Sequence, residues 1–494
     1  MNKKLAAAML FALLCMMTLG AHALTVTGRE TETLERIWSQ NQFFARMQAL
    51  TGIEVEPTGV ADEKEYAALI EKMLSGDVTT DVLFKADLTR AQEKALLDSG
   101  ALIDLSSLID AHMPNLSALL AEHPEWRDVI ALEDGRIASL PLINEKERQA
   151  AMWINKAWLD KLGIAMPTTL TELEAALLAI CNGDPNGNGK KDENGADLIG
   201  VYEMRWLLPY FGVVADDYHL ARNSSGEIVF APELPAYRQF IALLKDWYAK
   251  GVLPSGAFTS VHASARMNTS DEKTPVTSGM LLSVTPYTHL DAQAVLNYEP
   301  VLLAGPDGTT RWRDLLGAVW TGCFAVTSRC EDPAKALAWA DVLYGKEGAL
   351  LGYAGVEGED YIVNDEGYWS FAVKGNQDIS MLRSKVLMYT GVPMPGIYPA
   401  DFIHQVDSTL DRHVFAASEK VRAVSERVTQ AYCLSDADQA KANALAADIG
   451  RIVDEGIARF ATGEVELNDE TYAAWLDTLA QAGSADLVHL FSGQ

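Results

Sequence analysis

From residue 24 onward, short apolar runs alternate with longer stretches of helical periodicity, and that alternation most narrows what this chain can fold into. Thr51-Gly52-Ile53-Glu54-Val55-Glu56 is such a short run, a helical pattern follows through Tyr66 to Leu74, and Asp81-Val82-Leu83-Phe84 is short and apolar again. A period that switches between 2 and 3.6 asks for a sheet covered by helices, the α/β class. Residues 135–143 read as a strand running into a crossing segment, which places a domain boundary near 143. A second α/β unit follows. Residues 278–284 and 317–326 have strand character, and Asp332-Pro333 opens a helix as cap and first residue. Two lobes that share interleaved segments fit this order. The last hundred residues are mostly helical, with Leu445, Ile449, Ile452, Val453, Ile457 and Phe460 on one face, a core-packing pattern.

Local punctuation is clearest after the boundary. Asn155 caps a helix over 156–162, and Gly163 supplies its left-handed stop. Thr169 and Glu172 form a capping box, after which Leu170, Leu173, Leu177 and Ile180 repeat on one face as far as Cys181. Another helix spans 235–251 through Phe240, Leu243, Leu244 and Trp247.

Directly after the capping-box helix comes an oxygen-rich loop, residues 184–193. Hard cations such as Ca²⁺ take six to eight oxygens, and alternate residues of a tight loop can point inward together. Asp184, Asn186 and Asn188 stand at ligand positions 1, 3 and 5, and Gly189 at position 6 allows the sharp turn. Lys190 at position 7 offers its backbone carbonyl, and Asp192 and Glu193 close the shell. Position 12 is Gly195 instead of a bidentate Glu, so the loop is not a true EF-hand. The alternative is a solvated Asn/Gly turn, a common motif that rarely carries acids at both ends. Residues 197–202 then read as a strand. A loop joining helix to strand suits a structural ion better than a catalytic one.

Of 494 residues, 49% are hydrophobic and 22% charged, ordinary globular material with length for two domains. The formal charge is −28, which makes nucleic acid a poor partner; a soluble acidic surface is the plainer explanation. Lys3 and Lys4, an apolar run over 5–19, and Ala21-His22-Ala23 form a secretory signal with its cleavage site, so the mature chain is expected to begin at Leu24 with a charge of −30 once those two lysines leave. Cys15 follows Leu13-Leu14 where a lipobox would place a small residue, so lipid anchoring is not expected. Cys181, Cys323, Cys330 and Cys433 remain after cleavage, an even number in a disulfide-permissive compartment whose pairing the sequence leaves open. No CxxC or Cys/His cluster points to zinc.

At residues 152–163, followed by Pro167-Thr168-Thr169 and the Asp184 loop, the chain resembles bacterial extracellular solute-binding proteins of ABC transporters, in the subgroup that handles oligosaccharides. Ser75-Gly76-Asp77 before a strand, residues 135–141, 332–344 and 355–361, and Phe460-Ala461-Thr462-Gly463 agree in the same order. The resemblance implies a type II-like periplasmic-binding-protein fold, with two α/β lobes closing by a hinge on a ligand held in the cleft between them. It places 24–143 and 316–357 in the first lobe, and 144–315 and 358–494 in the second. It also implies a structural Ca²⁺ on Asp184, Asn186, Asn188, Lys190, Asp192 and Glu193, a membrane permease as partner, a monomeric state, and a secreted or periplasmic location.

Sugar rings stack on flat aromatic side chains, while their hydroxyls need polar partners. Trp206, Tyr210, Tyr287, Trp320 and Tyr398 lie at strand ends, in a strand entering the crossing region, or in loops, where α/β sheets bind ligands, and Asn144 and Glu145 follow the crossing strand. Trp158 and Trp247 sit on amphipathic helix faces and are expected in the core. The leading expectation is a carbohydrate-binding protein without catalytic activity. A secreted calcium-containing glycosidase or lyase stays open as an alternative, since 68 acidic residues allow a carboxylate pair, although no HExxH, GxSxG or phosphate-binding glycine loop is present. A peptide ligand is a further alternative.

Overall fold

The computed structural model describes residues 22–30, 38–144, 149–196, 200–258, 277–284, 286–288, 290–314, 319–373, 375, 378–389, 391–426 and 434–492. The chain divides into two compact units, each made from two stretches. Met1–Ile143 and Val319–Pro399 form the first, and Asn144–Ala318 and Ala400–Gln494 the second.

The first unit is built on a six-stranded sheet. Its strands are β1 (Leu24–Arg29), β2 (Val55–Val60), β3 (Val82–Phe84), β4 (Leu140–Ile143), β12 (Val319–Val326) and β15 (Gly396–Ile397), in the order β15-β4-β12-β3-β1-β2. β1 runs parallel to β2 and β3, and β15 parallel to β4, while β12 is antiparallel to both β3 and β4. Only β12 runs against the rest, and it carries the chain back into this unit. Trp38, Phe84, Phe324 and Trp339 pack against the sheet with at most 2% exposure, the Phe84 and Trp339 rings edge-on at 5.5 Å. Such edge-on aromatic pairs add about 0.5–1.5 kcal/mol beyond area burial.

The pairing of β12 with β4 is interrupted between Trp320 and Phe324. Gly322 lies inside this bulge at φ 76°, and a Cβ there would come within 2.1 Å of the Leu88 carbonyl oxygen. A buried polar chain holds the bulge. The Gly322 N–H donates to Ser139 Oγ at 2.8 Å, the Ser139 hydroxyl donates to Glu93, and Arg90 Nη1 donates to Glu93 at 2.7 Å.

Segment 358–399, expected in the second lobe, packs in the first. Gly396 and Ile397 pair in register with Leu142 and Ile143, and the hairpin β13 (Tyr361–Val363) and β14 (Trp369–Phe371) belongs to the same unit. A two-residue strand has no period-2 signal to read, and its membership is decided by tertiary contact: Gly396, at φ 135°, lies against the Leu343 backbone.

The second unit has a four-stranded sheet of β5 (Ala151–Asn155), β6 (Asn194–Ala196), β9 (Ser278–Ser283) and β10 (Tyr298–Pro300), in the order β10-β5-β9-β6. β5 is antiparallel to β9 and β10, and β6 is parallel to β9. Every residue of β5 and β9 is buried, as a sheet covered on both faces requires. Smaller pairs are β7 (Leu220–Arg222) with β8 (Ile228–Phe230) and β11 (Trp312–Arg313) with β16 (Ser425–Glu426). The helices Lys156–Leu162 and Leu170–Asn182 have the expected caps: Asn155 accepts from Trp158 N, Gly163 is left-handed, and Thr169 with Glu172 forms the box. Ile449, Val453, Ile457 and Phe460 of the helix Asp436–Thr462 are buried, as their spacing predicts.

The strand expected over 197–202 is corrected. Residues 197–199 lie outside those described, β6 ends at Ala196, and Val201–Met204 is helical. Val201, Met204, Leu207 and Leu208 are all buried, a helical spacing that a short apolar run does not distinguish from a strand. Among the described residues no helix is long and apolar enough to cross a membrane.

Candidate ligand-binding and cation-binding sites

In sheets of this class, ligands meet the carboxyl ends of the parallel strands. At that edge of the first unit, Tyr398 directly follows β15, and its N–H donates to the Ile143 carbonyl at 2.9 Å. Trp320 pairs with Leu142 across β12 and β4, and Asn144 is the next residue after β4. The fold thus brings Tyr398 and Trp320 to one edge of the first unit's sheet, while Asn144 opens the second unit. Tyr398 and Trp320 are half-buried; Asn144 is 2% exposed, and its Nδ2 has no hydrogen-bond partner among the described residues. Tyr398 stands edge-on to Tyr353 at 5.5 Å and to Tyr389 at 6.2 Å, and those two rings stack at 4.6 Å. Together they line a cavity of about 10 Å³, room for a single water. Glu145 lies outside the described residues.

The same edge carries residues that sequence reasoning missed. Lys85 and Asp87, just after β3, have φ of 53° and 48°, unusual for residues with a Cβ. Surrounding bonds over-determine this backbone. Ala86 N donates to Cys323 O at 3.0 Å, Leu88 N to Gly322 O at 3.1 Å, and Tyr66 Oη to Ala86 O at 2.6 Å. Lys85 Nζ, fully buried, lies 3.7 Å from Glu30 Oε1, whose other oxygen accepts from Trp38 Nε1 at 2.6 Å, while Asp87 pairs with Arg29. Backbone strain held in this way clusters at ligand sites. The one available signal was a lysine immediately after a fully apolar strand.

In the second unit, Trp206 and Tyr210 lie on the 3₁₀ segment Arg205–Phe211, and Tyr287 on the turn Pro286–Thr288 beyond β9. All three pack on one core. Tyr210 and Tyr287 are half-buried, whereas Trp206 is 5% exposed, edge-on to Tyr202 at 6.1 Å, with its indole N–H buried and unpartnered. Trp158 and Trp247 are core residues, as expected, at 5% and 0% exposure.

The 184–193 loop closes on itself. Asp184 Oδ1 accepts from Gly187 N and Asn188 N at 2.9 and 3.0 Å, and Oδ2 from Gly189 N at 2.9 Å. Asn186 Oδ1 accepts from Asn188 N at 2.9 Å, and Asn188 Oδ1 from Lys190 N at 2.8 Å. Gly187 and Gly189 supply the positive φ that these turns need. Asp192 accepts from Asn188 Nδ2 at 3.0 Å. Glu193 is 5% exposed; its Oε1 accepts from Asn186 N at 3.2 Å, and its Oε2 is buried without a donor. A buried carboxylate oxygen with no partner costs free energy that a cation would recover. The donor set therefore fits a hard cation. Among the described residues no group of three or more His, Cys, Asp or Glu side chains is gathered for a metal; the loop's donors include Asn amide oxygens and a backbone carbonyl. Cys181, Cys323 and Cys330 are free thiols, and Cys433 lies outside the described residues.

No protein-family model matches the sequence. The fructooligosaccharide ABC transporter substrate-binding protein FusA of Streptococcus pneumoniae is 32% identical over 227 residues, 43% of this chain and 41% of the relative. That match spans less than half the length of the curated relative. Among solved structures, a solute-binding protein from Bifidobacterium longum infantis, described as binding HMO, superposes with a TM-score of 0.72 at 21% identity, over 96% of this chain and 98% of the other. FusA with kestose superposes at 0.62 and 20%, with the same coverage, and a FusA EF-hand mutant has also been solved. The alginate-binding protein AlgQ2, solved without calcium ion, superposes at 0.59 and 19%, again over 96% and 98%. The chain is thus similar in sequence, over less than half of its length, to the substrate-binding protein of an ABC transporter, and it has the fold of these solute-binding proteins.

Proposed function

We propose that this chain captures an oligosaccharide outside the cytoplasm and delivers it, as a monomer and without chemical conversion, to an ABC-transporter permease. The sequence kinship with a fructooligosaccharide-binding protein, within a fold shared over 96% of the chain, carries this reading. The half-buried aromatic residues at strand ends support it, because they combine an apolar ring with a polar tip. Export follows from the leader over 1–23, with Leu24 opening β1. In the same reading, Asp184, Asn186, Asn188, Asp192 and Glu193 hold a calcium ion with the Lys190 carbonyl. The ion supplies positive charge that fixes the turn between the helix Leu170–Asn182 and β6. A thermal-shift screen of the mature chain against fructans, milk-type oligosaccharides, uronate oligomers and peptides, with and without chelator, tests the proposal. A ligand that binds only the folded state raises the midpoint by mass action. A rise with at least one oligosaccharide, which is recovered intact, is expected; release of shortened sugars, or a rise with peptides alone, would overturn it.

A further inference from the structure

Next to Trp206 and Tyr210 in the second unit lies a largely buried polar assembly. Arg205 opens the segment carrying Trp206 and Tyr210. Its Nη1 lies 3.2 and 3.1 Å from Nδ1 and Nε2 of His219, and 3.6 Å from Asp454 Oδ1, and its guanidinium sits 5.0 Å over the Tyr202 ring. His219 is 3% exposed and holds φ at 59°, a conformation that costs a residue with a Cβ. Its backbone is pinned on both sides: its N–H donates to Asp216 O at 3.1 Å, and its carbonyl accepts from Ala231 N at 2.8 Å. The imidazole also lies edge-on to Phe230 at 6.3 Å, and a Cβ on Gly450 would lie 3.7 Å from Nε2. Around the pair, Tyr202 Oη donates to Asp217 Oδ1 at 3.1 Å, and Arg313 Nη2 reaches the same oxygen at 3.0 Å.

We propose that Arg205 and His219 form a latch that positions the Trp206–Tyr210 segment for ligand, His219 accepting a hydrogen bond from the guanidinium through its unprotonated nitrogen. The role as a ligand platform rests on the carbohydrate-binding reading above; the mechanical link does not. Burial, then Arg205 and Arg313, hold the imidazole well below its ordinary pKa, so it is neutral at neutral pH and able to accept. Of the charged groups around it, Arg205 and Arg313 oppose its protonation, while Asp217 and Asp454 are engaged by those two arginines. Protonation would put a second cation against Arg205 and release the latch. Because the native pKa is depressed, release begins only below about pH 6.5, the ordinary histidine value.

The test uses the full mature chain, with the Trp206 indole N–H resonance assigned by Trp206→Phe, and kestose and a milk-type tetrasaccharide as binding probes. His219→Ala should displace the Trp206 resonance at pH 7.5 and weaken whichever probe binds by about tenfold. His219→Gln, which keeps an acceptor, should preserve both, and should abolish the movement of that resonance that the unaltered chain shows on acidification. An unmoved Trp206 signal in His219→Ala, or an identical acid transition in His219→Gln, would overturn the latch. If His219→Ala does not fold, Arg205→Gln puts the same question from the other partner. Failure of every carbohydrate to bind removes the platform role together with the transport reading, while the resonance still decides the latch.

Discussion

Gly322 sits where no other residue fits. Its φ of 76° already strains any side chain, and a Cβ would meet the Leu88 carbonyl oxygen at 2.1 Å. Gly322→Ala therefore has to move either the bulge or the strained Lys85–Leu88 turn, whose Leu88 N–H bonds to the Gly322 carbonyl. We expect a loss of about 2–3 kcal/mol in denaturant unfolding, with little change in m-value. A loss under about 0.5 kcal/mol would mean that the turn relaxes at no cost. Nothing in the sequence announced this position. The glycine is visible in Trp320-Thr321-Gly322-Cys323, but the carbonyl that excludes a side chain comes from more than two hundred residues earlier in the chain. The same blindness covers Lys85, Asp87 and His219: positive φ at a residue with a Cβ is imposed by tertiary bonds and has no local signature. Trp158 and Trp247, by contrast, were legible as core, because burial on an amphipathic helix is a local pattern.

Helix ends were read almost without error, since a cap satisfies backbone groups within four residues of itself. Asn155, Thr169 with Glu172, and Asp332 all accept the bonds their positions predict. Thr169→Ala removes the acceptor for Glu172 N, a 3.2 Å bond, and should cost about 1 kcal/mol in chemical unfolding. Thr169→Ser should cost much less, because it keeps the hydroxyl; equal losses for the two variants would show that packing of the threonine methyl dominates. Strands were less legible in proportion to their length. β9 and β12 are long enough to carry a signal, whereas β6 and β15, at three and two residues, are defined by the strands they pair with. For that reason Val201–Met204 reads as a strand although it is helical, and 358–399 reads as part of the second unit although it packs in the first. The misplacement of Trp206 and Tyr210 beyond a strand, when they lie on a 3₁₀ segment, has the same origin.

At the scale of the molecule, the division into two compact units has a thermodynamic consequence. Each unit has its own sheet, and the oxygen-rich loop lies wholly in the second, between the helix Leu170–Asn182 and the edge strand β6. A cation bound there acts on the second unit's stability directly, and the first unit has no share in the loop. For an ion present at one hundred times its dissociation constant, mass action gives about 2.7 kcal/mol. Scanning calorimetry of the mature chain should therefore resolve two transitions, since a protein of two units need not unfold in one step. Adding calcium should raise one transition and leave the other in place. Glu193→Gln removes the carboxylate whose Oε2 is buried without a donor, and should abolish most of that shift while changing the calcium-free trace little. If a single transition moves as a whole, the two units unfold as one and the loop stabilises the entire chain; if calcium moves nothing, the loop is a hydrogen-bonded turn and the unpartnered Glu193 oxygen has to be satisfied by water.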